Sequence, residues 1–192
     1  MTDTNNAPAT LEQLADFAGT WSIDESHSRI GFVARHAMVT RVRGGFNEFE
    51  GSVIVDAEDI AKSSATVTIK AASIDTRNEQ RDGHLRSNDF LAMDEHPEIT
   101  FVSTAAALTG ATTVELTGDL TVKGTTNSVT IPFEFEGTAT DPFGNVRAGF
   151  EGSVVINRKD YGVTWNAALE TGGVLVSDKI TLEFEVSLIK SA

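Results

Sequence analysis

From Trp21 onward the apolar residues recur at every second position, and that period leaves few folds open. Val129, Ile131, Phe133 and Phe135 oppose Thr130, Glu134 and Glu136, while Ile180, Leu182, Phe184, Val186 and Leu188 oppose Thr181, Glu183, Glu185 and Ser187. Successive strand residues point to opposite faces, so each segment has one dry face and one wet face. Ile30, Phe32 and Ala34 share a face in an earlier segment, as do Phe49, Val53 and Val55. Similar runs lie near Ala65 to Ala71, Glu98 to Leu108, Val114 to Val122 and Val146 to Ile156, parted by turn signals such as Thr109-Gly110 and Asp141-Pro142-Phe143-Gly144. About eight or nine half-buried strands suit either a sandwich or a closed barrel. Gly51, Gly118, Gly149 and Gly152 fall inside strand patterns, where they weaken a flat sheet but permit the coiling that closure demands. The expected fold is therefore all-β, an antiparallel up-and-down barrel of about eight strands, with Pro132 at a bulge or an edge.

Two stretches break the period. Thr10-Leu11-Glu12-Gln13 is spaced for a reciprocal helix cap before Leu14, Ala15 and Ala18, which predicts a short leading helix. Asn78 to Asp94, with Leu85, Phe90, Leu91 and Met93, reads as a mostly helical, weakly amphipathic insert placed to lie across a barrel mouth. A chain of 192 residues supports one substantial core. The organisation expected is an N-terminal tail and short helix over 1–18 and a single barrel domain over 19–192.

Charge and composition narrow the partners. A net charge of −13 argues against nucleic acid and against an anionic membrane, because both repel an acidic surface. No apolar run approaches the roughly eighteen residues of a helical span, so the chain does not read as an integral membrane protein. With no cysteine there is no thiolate metal site and no cysteine nucleophile. Met1 to Ala9 is polar and lacks the basic start and apolar stretch of a secretory signal, which points to a cytoplasmic setting.

Catalytic chemistry finds little support. Asp24, Ser26 and His27 are neighbours in sequence, but there is no Gly-x-Ser-x-Gly elbow, phosphate-binding glycine loop or dinucleotide fingerprint. Asp24 with His27 reads as a turn held by side-chain hydrogen bonds. His27, His36, His84 and His96 lack the spacing of a helical metal pair. No catalytic residue, metal ligand or cofactor is assigned. A small hydrolase or isomerase working inside the barrel, and a packed barrel serving as a protein-interaction module, remain as alternatives.

Several motifs stand in a familiar order. Trp21-Ser22-Ile23-Asp24 precedes His27-Ser28, His36, Gly45-Phe46, Phe49 and Gly51. Ser73-Ile74-Asp75-Thr76 leads into Arg81-Asp82-Gly83-His84-Leu85-Arg86-Ser87-Asn88-Asp89-Phe90, then His96-Pro97-Glu98-Ile99-Thr100-Phe101. Gly118-Asp119-Leu120-Thr121-Val122-Lys123-Gly124 and Ile156-Asn157-Arg158-Lys159-Asp160-Tyr161-Gly162 complete the set. In this order and spacing, over nearly everything after Gly19, the chain resembles the YceI family of lipocalin-like, polyisoprenoid-binding proteins. His96 stands where that family usually has an aromatic before the proline. Many relatives are periplasmic, whereas no signal segment is visible here. The resemblance implies an elongated barrel, often dimeric, that carries or stores a polyisoprenoid, a polyprenyl phosphate or an isoprenoid quinone as its bound ligand.

An eight-stranded barrel is just wide enough to fill its interior with side chains or to hold one slender ligand. The residues expected to line such a lumen are Ile30, Phe32, Phe46, Phe49, Leu85, Phe90, Phe101, Leu120, Phe133, Phe135, Phe150 and Trp165, from their strand faces or their place beside the mouth. Arginine and histidine concentrate in two segments, Arg35 to Arg43 and Arg77 to Arg86. The candidates for a polar or phosphorylated head group are His36, Arg77, Arg81, His84 and Arg158, because guanidinium forks match phosphate oxygens.

Overall fold

The computed structural model of the chain describes residues 14–191. Its eleven strands are β1 (Gly19–Ile23), β2 (Arg29–His36), β3 (Thr40–Phe46), β4 (Phe49–Val55), β5 (Ser64–Lys70), β6 (Ile74–Asp75), β7 (Glu98–Leu108), β8 (Thr113–Val122), β9 (Thr125–Thr140), β10 (Val146–Asn157) and β11 (Lys179–Lys190). They reduce to eight lanes. β1 and β2 lie end to end along one edge of β11, Trp21–Ile23 against Leu188–Lys190 and Arg29–Val33 against Thr181–Glu185. A single 3-10 turn, Glu25–His27, parts them, and the Asp24 carboxylate accepts from the Ser26 N–H to cap it. β4 and β3 pair with β1 and β2 in the same staggered way, and β5 and β6 with β4 and β3. Each lane is antiparallel to its neighbour in sequence, and β11 returns to the first, so the sheet closes as an up-and-down barrel.

Most strands fall on the period-two runs, but β3 and β6 form where no run was expected, β9 extends beyond 129–136 at both ends, and the remaining differences lie in the interruptions. The leading helix, α1, spans Leu14–Phe17, while the expected cap at Thr10–Gln13 lies outside the described residues. The insert before β7 is helical only over Glu79–Arg86, which is α2. Asn78 caps its start, accepting from the Arg81 N–H, and the Ser87 hydroxyl donates to the His84 carbonyl at its end. Ala92 then takes a φ of 48°, and the residues carrying Phe90, Leu91 and Met93 form turns, not further helix. Pro132 sits where pairing between β9 and β10 stops, one residue beyond the Phe133–Gly152 pair, so its missing N–H falls on an unpaired edge.

The two barrel ends differ. The near end holds α1, the start of β1, the end of β11 and the β4–β5, β7–β8 and β9–β10 connections; the far end holds the β2–β3 turn, α2, the β8–β9 turn and the long segment before β11. At the near end the Phe17 ring meets Phe135 edge-on at 5.2 Å, and the buried Trp21 indole donates to the Phe17 carbonyl at 2.8 Å. Arg147 locks this end by bonding Asp24 at 2.7 Å and Asp141 at 2.9 Å. Arg147 beside Asp24, with help from Ser26, holds that carboxyl far below the usual range, and Asp141, held first by Asn145 and then by Arg147, is pulled down to about 2. At the far end, Asp82 is buried and accepts from both the backbone and the hydroxyl of Thr76, while Arg81 donates to Thr76 and Arg86 to the Ala72 and Ile74 carbonyls. These bonds pin α2 to β6.

The Arg147 lock has a pH signature. Depressed carboxyl pKa values stabilise the fold above the unfolded value of 3.8, and that contribution is lost as pH falls through the lower folded values. Arg147→Met is expected to lower Tm at neutral pH, with the gap to the parent narrowing as pH drops from 3.8 towards 2. A gap of constant size across that range would contradict the assignment.

Candidate functional site

A cavity of about 350 Å3 runs through the barrel from Phe17, Trp21 and Ile60 at the near end to Phe90, Leu91, Val163 and Val176 at the far end. Five alternate residues of β11, from Ile180 to Leu188, stand in its wall. Those eight steps of about 3.3 Å each, on strands tilted about 40°, give a channel about 20 Å long. Among its lining side chains only Trp21, Ser63, Ser64, Arg158 and Tyr161 carry a polar atom, and the Trp21 indole is already bonded within the wall. Burial pushes the Tyr161 phenol up, keeping it neutral.

Glycines keep the channel open, for a reason other than the one their sequence positions suggest. Gly51, Gly118 and Gly152 do not take a positive φ, so no left-handed backbone requires a glycine there. They lie on the inner face, where neighbouring side chains cross over them. A Cβ on Gly152 would stand 2.7 Å from the Phe133 ring, one on Gly44 would stand 2.5 Å from Phe32, and one on Gly118 would overlap Phe101. Each ring thus lies across a glycine on the adjacent strand instead of projecting to the barrel axis. Gly149 points outward, towards Glu136, and has no such role.

Nine of the expected lumen residues stand in the cavity wall: Ile30, Phe32, Phe46, Leu85, Phe90, Phe101, Leu120, Phe133 and Phe150. Three do not. Phe49 is buried in the side-chain core with Ile69 and Ile99, Phe135 is wedged between Phe17 and Phe150, and Trp165 packs outside the wall against His84 at 4.7 Å and Phe90 at 5.4 Å. The period-two pattern assigned Phe49 and Phe135 to the inner face correctly, but the face is filled there by neighbouring side chains. Aliphatic positions such as Leu116, Leu182 and Val186 also line the wall. Their alternation was visible in sequence, and weighting aromatics passed over them. Tyr161, Val163 and Val176 arrive from the connection before β11, which carries no periodic signal.

The cationic candidates are mostly committed elsewhere. Arg158 borders the cavity, but its guanidinium donates to the carbonyls of Ser177, Val163, Trp165 and Val176, tying the connection before β11 to the barrel. Arg81 is spent on Thr76, and the His84 Nε2 lies 2.9 Å from the Asp89 carboxylate while its ring meets Phe90 and Trp165 edge-on. His36 and Arg77 are exposed and stand outside the wall. The structure therefore does not gather these five into a head-group pocket.

The Asp24–Ser26–His27 cluster does not form a catalytic relay. The His27 Nδ1 lies 2.7 Å from Asp24 and 3.0 Å from the Ser26 hydroxyl, so acid and hydroxyl compete for one ring nitrogen. A charge-assisted triad needs the carboxylate and the nucleophile on opposite nitrogens. Among the described residues, no group of three or more acidic or histidine side chains gathers at metal-binding distance, and no helix is long and apolar enough to cross a membrane.

The YceI-like domain model matches residues 21–188. The UPF0312 protein SAS2572 of Staphylococcus aureus (strain MSSA476) is 40% identical over 164 residues, spanning 85% of this chain and 93% of that protein. Among solved structures, Burkholderia cenocepacia BcnA aligns with a TM-score of 0.75 at 27% identity, covering 86% of this chain and 98% of that one. A polyisoprenoid binding domain from Saccharophagus degradans shares the fold, with a TM-score of 0.69 at 14% identity over 89% of this chain and 98% of its own.

The wall also separates two classes of phenylalanine. Phe135→Ala, in solid packing, is expected to cost about 3–5 kcal/mol. Phe133→Ala, already facing open space, is expected to fall below about 2 kcal/mol because fewer packing partners are lost. Urea unfolding of the two variants checks this, and equal losses would contradict the assigned wall.

Proposed function

The chain belongs to the YceI-like domain family, and from that membership we propose that it binds a long hydrocarbon chain in the barrel lumen, of the polyisoprenoid class. The observation that carries the reading is a channel about 20 Å long whose wall is almost wholly apolar. Each isoprene unit adds four chain bonds of about 1.5 Å, or about 5 Å when extended, so about four units span the channel. Burying one unit of five carbons contributes roughly 4 kcal/mol gross. A few units offset the loss of ligand freedom and reach tight binding. The fold has a precedent for such a ligand in the Saccharophagus degradans polyisoprenoid binding domain.

The same wall argues about the head group. With the Arg158 guanidinium held by backbone carbonyls, the lumen offers a charged group no free cation and a polar one only the Tyr161, Ser63 and Ser64 hydroxyls at its two ends, and burying a head group between them is costly. The head group, a quinone ring or a phosphate, therefore lies outside the channel while the tail fills it. A role as a carrier or store of that lipid is the reading that the almost wholly apolar wall supports.

Organic extraction of the natively expressed protein followed by mass spectrometry tests the proposal. A prenyl lipid or prenylated quinone is expected at near one per chain, absent from denatured protein. Leu116→Trp, which puts an indole into the channel, is expected to remain folded and lose it. Recovery of fatty acyl chains would assign the lumen to another lipid class, and an empty extract with no uptake of added prenyl lipid would overturn the reading.

A further inference from the structure

The net charge of −13 is unevenly spread. The far-end segments 35–43, 74–97, 122–125 and 157–179 carry ten lysines and arginines and nine acidic residues, a net charge of +1, whereas the rest of the described residues carry five lysines and arginines and seventeen acidic residues, a net charge of −12. The molecule is thus an electric dipole whose acidic body stands behind a far end that is neutral to weakly basic. Net charge alone argued against an anionic membrane; this distribution removes the objection for one orientation.

The β2–β3 turn projects from that end. Its flanks carry Arg35, His36 and Arg41, with no acidic residue between 35 and 43, while Arg43 is paired with Glu183 of β11, and its tip carries Met38 and Val39, exposed to 60% and 76%. Val174, 40% exposed, lies in the neighbouring connection, which is tied to the turn by the Ala37 N–H bond to the Leu175 carbonyl. The turn is also built against its own residue preferences. Ala37 and Met38 adopt φ of 50° and 63°, and the Val39 N–H bonds to the His36 carbonyl. That tight geometry favours asparagine and glycine. Here it leaves Val39 free of the barrel and lays the Met38 thioether over Gly173 of the neighbouring connection, with both side chains mostly exposed. Directly below, His36 pairs with Val176, which lines the cavity, so the tip stands over the far end of the channel.

We propose that the Met38–Val39 tip and its arginine flanks dock the far end onto an anionic lipid bilayer. The two apolar side chains enter the acyl boundary, the guanidinium groups meet lipid phosphates, and the acidic body is turned away. The inference uses surface residues only and is separable from the lumen ligand.

The test is flotation of the full chain with phosphatidylcholine vesicles with and without phosphatidylglycerol, at low and high salt. Binding is expected only with phosphatidylglycerol, and to weaken with salt. Val39→Asp is expected to reduce it more than about tenfold, from the loss of one buried side chain. Arg41→Gln is expected to cost about fivefold, at about 1 kcal/mol per basic residue. Phe143→Ser, at the exposed near-end turn, should leave binding unchanged. Circular dichroism and the extracted lumen lipid should be the same in all variants, so a loss of docking is distinguished from a loss of lipid binding. No binding to anionic vesicles, binding insensitive to Val39 and Arg41, or concentration-dependent dimers abolished by Val39→Asp would each overturn the proposal.

Discussion

Everything in this molecule depends on the hydrogen bonding that brings β11 back to β1 and β2. A sheet with open edges must protect them, whereas closure gives each lane a neighbour on both sides over much of its length and fixes the radius. That radius turns the inner face of each strand into the wall of one shared space. Whether the space is core or channel is then decided by a small number of positions. Glycines under Phe32, Phe101 and Phe133 let the rings lie along the wall, and the centre stays open.

Closure also explains the unequal ends. The near end is held by side-chain packing, with Phe17, Trp21 and Phe135 packed together and Arg147 tying β10 to the β1–β2 junction. The far end is built from polar anchoring of irregular backbone. Buried Asp82 holds α2 through Thr76, and buried Arg158 gathers four carbonyls of the connection before β11. Charged groups are placed there because those segments lack ladder partners for their backbone, and one guanidinium or carboxylate satisfies several such groups together. Motifs that stand out in the sequence as chemistry, Arg81-Asp82 and Asn157-Arg158, are in this structure the fasteners of the far end.

The sequence was most legible where one physical rule acts alone. Strand period settled the faces of β9 over 129–136 and of β11 over 180–188, and it located β7, β8 and β10. It was least legible where two rules compete. Phe133 and Phe135 share a strand face two residues apart, yet one faces open channel and the other solid packing, because α1 brings Phe17 against the second. Depth along the barrel axis has no sequence period. Arg158 looked like a free cation because nothing local predicts that carbonyls of Val163, Trp165, Val176 and Ser177 converge on it. Gly118 and Gly152 were recognised as special, but as bends; the ring lying over each belongs to a neighbouring strand and is a tertiary fact.

The central claim is that the lumen measures a hydrocarbon tail, and length dependence tests it most directly. Delipidated protein would be titrated calorimetrically with prenyl alcohols of increasing length. Affinity should rise by at least about tenfold per added unit, since each buries roughly 4 kcal/mol of gross apolar transfer, and should level off near four units, where the channel of about 20 Å is filled. Affinity independent of length, or still rising well beyond that point, would mean that the tail does not occupy the barrel as described.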